Sequence, residues 1–315
     1  MRGSVNPEEA RPFFNTLAAC GLVTGHWVAR LLARKLAAGR GSVNPEEARV
    51  SCQNSRMELQ AEDLGQLRMA KWLLEKPSLA MRLADVVGTP LERGFGLLPE
   101  KWAGAIQKAV NESLLKALGA AVKSLEGRPG GPEKRRFHHL AVTAAGAAGG
   151  AFGLAGLIAE LPISTILMLR SIADIARTEG EDLADMESRL SCLEVFALGG
   201  RTRGDDAAET GYFAIRAALA RSVSEAARFL AERGIVEHTS PALVRFITAI
   251  GSRFGIAVSE KVAAMAVPVV GAAGGAVVNS IFIRHFQDTA TGHFVIRRLE
   301  RAYGRELVEQ QYLAM

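Results

Sequence analysis

His285 and Asp288 stand one turn apart on one helical face, and His293 lies about 80° further round the same helix. Two histidines and a carboxylate are zinc-ligand types. An isolated set of this kind is more often a group of satisfied core or surface residues, so no metal and no cofactor is expected. Glu160 ends an apolar run and is followed by Leu161-Pro162. Arg170 and Asp174 are one turn apart on the very apolar helix that begins at Ile163, where charges are costly without partners, and they are expected to pair with each other. Glu179, Glu181, Asp182, Asp185 and Glu187 form an acidic run whose spacing matches no cation loop; it reads as a solvated turn with negative charge at a helix start. Cys192, beside Leu193 and Phe196, reads as a buried structural thiol. The sequence holds no GxSxG, HExxH, GxxxxGK[ST] or CxxC motif. The candidate catalytic residues are therefore Glu160 and His285, and the candidate binding residues are Arg170, Asp174, Asn279, Asp288 and His293.

The elements that position these residues are helical. From Glu58 onward the apolar period is that of a helix, with no useful alternating run. Leu59, Leu64, Leu67, Trp72 and Leu73 predict a first helix, stopped by Pro77, and Pro99 opens a long one reaching about Leu125. Further helices are predicted over about 137–159, 162–178, 185–198, 206–233, 241–260, 262–284 and 287–303. The fold class is all-α: a single multi-helix bundle with two central Gly/Ala-rich apolar helices. Those two are Leu140–Ala159 and Val262–Ile283, which carry no charge and share the hexapeptide GAAGGA at Gly146–Ala151 and Gly271–Ala276. Small residues four apart let two helix backbones approach closely. If the two helices packed in parallel through that hexapeptide, Glu160 and His285 would reach the same level, about 21 Å along the axis.

Each apolar run is long enough to span a bilayer. The strongly apolar residues contribute only about −2 to −5 kcal/mol per run, against glycines, Pro268 and Asn279. Insertion is marginal, which leaves three readings: conditional membrane contact, a soluble bundle core, or stable spanning. Lys134, Arg135 and Arg136 directly precede the first run and are the residues expected to meet anionic lipid.

The chain has 315 residues, with 38 Lys and Arg against 33 Asp and Glu. Residues 1–56 hold eight of those bases and four of the acids, so the remainder is nearly neutral, and nucleic acid is excluded as a partner. Within that segment Arg2–Arg11 and Arg40–Arg49 are the same ten residues, RGSVNPEEAR. Residues 1–56 are expected to be a poorly structured extension with a mis-assigned start, ahead of a helical domain over 57–315.

Several blocks resemble the EcsC family, named for the third protein of a bacterial ABC-exporter operon. They are Leu74-Glu75-Lys76-Pro77-Ser78, Gly88-Thr89-Pro90-Leu91-Glu92, Glu160–Thr165 followed by Leu169–Ala173, and Cys192–Gly200. Asn279, His293-Phe294 and Arg297–Glu300 fit as well. Asp185-Met186-Glu187 departs from the pattern, where proline is expected in the middle. The resemblance implies bacterial origin and an exporter or envelope role, with no agreed activity or catalytic residues. The resulting expectation is a non-enzymatic accessory or scaffold, cytoplasmic and peripheral at the inner face of the membrane, with anionic lipid or a membrane protein as partner. The alternatives are a hydrolase-type enzyme with its site near Glu160 and His285, and a carrier of lipid or another apolar ligand.

Overall fold

The computed structural model describes residues 59–75, 78–125, 153–200, 211–233, 240–267 and 271–315. Among these residues there are ten helices and no strand: α1 Ala61–Glu75, α2 Leu79–Val87, α3 Leu91–Gly96, α4 Trp102–Ser124, α5 Gly153–Thr178, α6 Met186–Gly199, α7 Gly211–Arg233, α8 Pro241–Ala266, α9 Gly271–Tyr303 and α10 Arg305–Leu313. All lie in one unit, Gln60–Met315. Residues 1–56 and the segment 134–152, with its basic flank and first GAAGGA copy, lie outside the described residues.

At the centre is α6. It packs against α4, α5, α7, α8 and α9, and every residue from Ser188 to Gly199 is buried. Its apolar side chains each gain roughly 1.5–3 kcal/mol from burial. Phe196 packs at a tilt against Phe254 at 4.8 Å and Phe286 at 5.5 Å between ring centroids, which joins α6 to α8 and α9. The polar residues of α6 find partners. Asp185 caps the helix by accepting from the Ser188 amide at 2.9 Å. Arg189 donates to the carbonyls of Leu183, Ala184 and Val122, closing the end of α4. The sequence expectation placed the two glycine-bearing runs at the centre; the first GAAGGA copy lies outside the described residues, and α6, whose mixed composition hides its burial from any periodicity argument, is buried against α9, which carries the second.

Three helix boundaries differ from expectation. The helix α5 runs through Pro162, where Ser164 and Thr165 both donate their hydroxyls to the Leu161 carbonyl, at 3.0 and 2.7 Å. The predicted helices over 262–284 and 287–303 are one continuous α9 from Gly271. One helix ends at Ala266, where Val267 is extended, and the next begins at Gly271, so the uncharged run Val262–Ile283 is divided between two helices. The one described helix that is long and apolar enough to cross a membrane is α8, and half of its most apolar window is buried within the protein.

Along α9, α1 runs antiparallel. Tyr303 donates to Asp63 at 2.5 Å, Arg298 bonds Gln66, and Leu74 lies on Gly292. The buried face of α1 is Leu67, Ala70 and Leu74; Trp72, read as part of that apolar period, is 60% exposed. Next, α2 starts at a Ser78 cap and ends at Gly88, whose φ of 71° is a left-handed turn that suits glycine. Short α3 lies on α8 at Gly94, where any side chain would strike the Ala263 carbonyl.

Candidate functional site

Where α5, α8 and α9 meet, three polar side chains are sealed inside the protein. Asn279 donates from Nδ2 to Glu160 Oε1 at 3.1 Å. Lys261 lies with its Nζ 3.9 Å from the same oxygen and 4.9 Å from the centre of the Phe282 ring. Lys261 is 0% exposed, and its Nζ has no hydrogen-bond partner among the described residues. Burial pushes its amine below the ordinary lysine value, and the Glu160 charge offsets this only in part. The arrangement sets an amine beside a carboxylate and an amide, against the Phe282 ring.

The same contact fixes the packing of α5 on α9. Glu160 meets Asn279, and further along Gln287 donates to Ser171 at 2.8 Å. Both pairs ascend in the same direction, so the two helices are parallel, as the register argument required. The level differs: it is Asn279, not His285, that faces Glu160, and His285 lies about 9 Å further along α9. The first copy of the hexapeptide lies outside the described residues.

The remaining predicted residues are dispersed rather than joined. His285 donates from Nε2 to the Gly199 carbonyl at 2.8 Å and so closes the end of α6. Asp288 pairs with Arg82 of α2 at 3.8 Å. Asp174 pairs with Arg177 at 2.9 Å, not with Arg170, because the i,i+3 arginine lies at the better reach. Arg170 has its Nε buried with no hydrogen-bond partner among the described residues. His293 shares a 2.9 Å hydrogen bond with the Tyr212 hydroxyl through Nδ1. Among the described residues no group of three His, Cys, Asp or Glu is placed to hold a metal ion. The acidic run is likewise divided: Asp185 caps α6, and Glu181 is bound by Arg297 at 2.8 Å, by Arg301 and by Ser188 at 3.1 Å. Glu181 is buried, not solvated as expected. Burial raises its carboxyl, but the two arginines and Ser188 outweigh that and hold it below the usual value. Cys192 is a buried free thiol that burial pushes up to about 12. Lys134, Arg135 and Arg136 lie outside the described residues.

A second buried polar set surrounds His293. Arg216 grips Glu300 with two hydrogen bonds of 2.8 and 2.9 Å and lies over the Tyr212 ring. Burial holds His293 well below the ordinary histidine range, helped by the charges of Arg216 and Arg297. Glu194 of α6 lies in the same field, and burial pushes its carboxyl up to about 7 despite Arg216 and Arg297. Sequence reasoning missed Lys261, Tyr212 and Glu194. The signal for Lys261 was present: with Ser259 and Glu260 it is one of three polar residues in the otherwise apolar stretch Phe254–Val270, and it is the only base there.

The model of the EcsC protein family matches residues 66–299. No curated protein matches the chain, and no solved structure does.

Proposed function

Since the chain belongs to the EcsC family, whose resemblance implies no agreed activity or catalytic residues, we propose that it is a non-enzymatic accessory or scaffold protein that works against a membrane surface. The observation that carries this reading is an apolar lip on α2 and α3. Met81 is 59% exposed, Phe95 43% and Leu97, directly after α3, 54%, and Val86 of α2 is also exposed. Exposed apolar groups gathered on two consecutive short helices are a mark of an interaction surface, and an amphipathic segment buries such a face at the headgroup boundary. In support, His285, Asp288, His293 and Asp174 are each engaged in contacts that hold helices or helix ends in place. The test is flotation of the full chain with vesicles of neutral and anionic phospholipid. The chain is expected to float, better with anionic lipid, and less after Met81→Ser/Phe95→Ser or after replacing Lys134, Arg135 and Arg136 with Gln. A chain that stays in solution with both vesicle types at low salt rejects the reading.

A further inference from the structure

Arg170 stands apart from the other polar residues singled out in the sequence. Among the described residues it makes no hydrogen bond and no ion pair. Asp174, at i+4, is turned to Arg177 instead, at 2.9 Å. The Arg170 Nε is buried while the side chain as a whole is only partly so, which leaves the terminal nitrogens of the fork at the surface. Partial burial costs a charge some of its hydration, and no carboxylate of the protein offsets that cost.

The surroundings of the fork are apolar. Ile163, Ile166, Leu167 and Arg170 fall at i, i+3, i+4 and i+7, so they form one stripe along α5, about 10 Å long. Ile163 is 59% exposed, and Ile166 and Leu167 are half-buried. Between them Ser164, Thr165, Met168 and Leu169 are buried. Glu160, the one earlier charge of α5, faces inward to Asn279 and Lys261. Arg170 is thus the first charge that the stripe presents, at the end of three apolar side chains.

We propose that this stripe holds one phospholipid molecule, its phosphate on the Arg170 fork and an acyl chain along Leu167, Ile166 and Ile163. The parallel N–H groups of a guanidinium match two oxygens of a phosphate, a fit that a lysine ammonium lacks. One cation beside an apolar stripe suits a ligand with one anionic group and an apolar tail. It suits an acidic peptide less, because complementarity to several carboxylates needs several cations. Free phosphate leaves the apolar side chains unused. The site takes no residue from the lip of α2 and α3, and it binds a single lipid whether or not that lip meets a bilayer.

The test titrates the full chain by calorimetry with three probes, each below its aggregation limit. They are dihexanoyl phosphatidate, dihexanoylglycerol, which lacks the phosphate, and glycerol phosphate, which lacks the chains. Phosphatidate is expected to bind about tenfold tighter than either of the others. Arg170→Gln should remove its advantage over dihexanoylglycerol, and Arg170→Lys should keep about threefold of it, since the charge stays and the fork is lost. Ile163→Ser should weaken both chain-bearing probes alike, by about threefold. Arg170 leaves no partner behind and Ile163 is exposed, so these variants should fold, which a circular dichroism melt checks. Phosphatidate that binds no tighter than dihexanoylglycerol overturns the proposal, as does an advantage that survives Arg170→Gln. Glycerol phosphate that binds as tightly as phosphatidate overturns it too, because the stripe then plays no part. So does a Glu-bearing leucine peptide that binds as tightly as phosphatidate and loses its affinity in Arg170→Gln, because the stripe then receives a protein segment. A chain that fails to float with vesicles but shows the phosphatidate preference rejects the membrane reading and leaves this site standing. A chain that floats without that preference does the reverse.

Discussion

Asn279 and Glu160 are hydrogen-bonded at 3.1 Å between α9 and α5, and Lys261 of α8 approaches the same carboxylate oxygen at 3.9 Å. Three helices from distant parts of the chain are thereby held at one level by one buried carboxylate. Removing one member of such a set leaves an uncompensated buried group, whereas removing the charged pair together does not.

Lys261→Met is therefore expected to lower stability by about 3–5 kcal/mol. The double variant Glu160→Leu/Lys261→Met should recover most of the loss, since both charges then leave the interior. Chemical denaturation of the two single variants and the double gives the coupling directly. Strict additivity would mean that the two side chains do not interact.

Glu194→Gln is expected to stabilise the protein in a pH-dependent way. The folded Glu194 carboxyl titrates at about 7, against an ordinary value of 4.5, because burial penalises its charge. Between those values the folded state binds more protons than the unfolded one, so the group's contribution to stability falls as pH rises. The variant should match the parent below about pH 4.5 and exceed it by about 3 kcal/mol above pH 7. A difference that does not change with pH rejects this account.

His293 acts with the opposite sign. Its folded value is depressed by burial, so below the ordinary histidine value of 6.5 the unfolded state binds the extra proton and stability is lost as pH falls. In the Glu194→Gln background this acid loss should be seen unmasked, and His293→Phe should flatten it. Thermal melts of the two backgrounds from pH 4 to pH 7 check the prediction.

Glu181→Gln tests the clamp of Arg297 and Arg301. The folded carboxyl is held below its ordinary 4.5, so its stabilisation is fully present above that pH and is lost as pH falls through the folded value. The variant should be about 2–3 kcal/mol less stable at neutral pH, as for a buried group stripped of its charge partner. The gap should close on acidification.

Gly94→Ala places a methyl group against the backbone carbonyl of Ala263. Neither side is a flexible side-chain end, so α3 must shift, at about 1–3 kcal/mol. Amide exchange in α3 should quicken more than in α6, and flotation with vesicles should weaken if the α3 lip makes the contact.

How much of this was legible beforehand differs residue by residue. The helical class and the family resemblance followed from spacing and from ordered blocks, because helix period and turn residues are local properties. Glu160 was singled out as the charge that ends an apolar run, and it does sit at a helix junction. Its partners were not legible: Asn279 depends on the relative slide of α5 and α9, and Lys261 on the way α8 crosses them. The repeat GAAGGA suggested a slide six residues away from the one found. Pro162 read as a helix end because its local penalty was clear, whereas the packing that carries α5 through it is not local. The central position of α6 was also hidden, since Arg189 and Glu194 mark a surface helix until their partners are known.

The burial of α6 on all sides also has a meaning for synthesis. Its ring partners Phe254 and Phe286 belong to α8 and α9, which leave the ribosome long after α6 itself. Until then Leu190, Leu193, Val195 and Phe196 have only α4, α5 and α7 for cover. The helix at the heart of the protein is thus one of the last to be enclosed, and the nascent chain carries an open apolar seam through much of its own translation. A stop codon anywhere before α9 would release that seam into the cell as a target for chaperones and proteases, not as a smaller working protein.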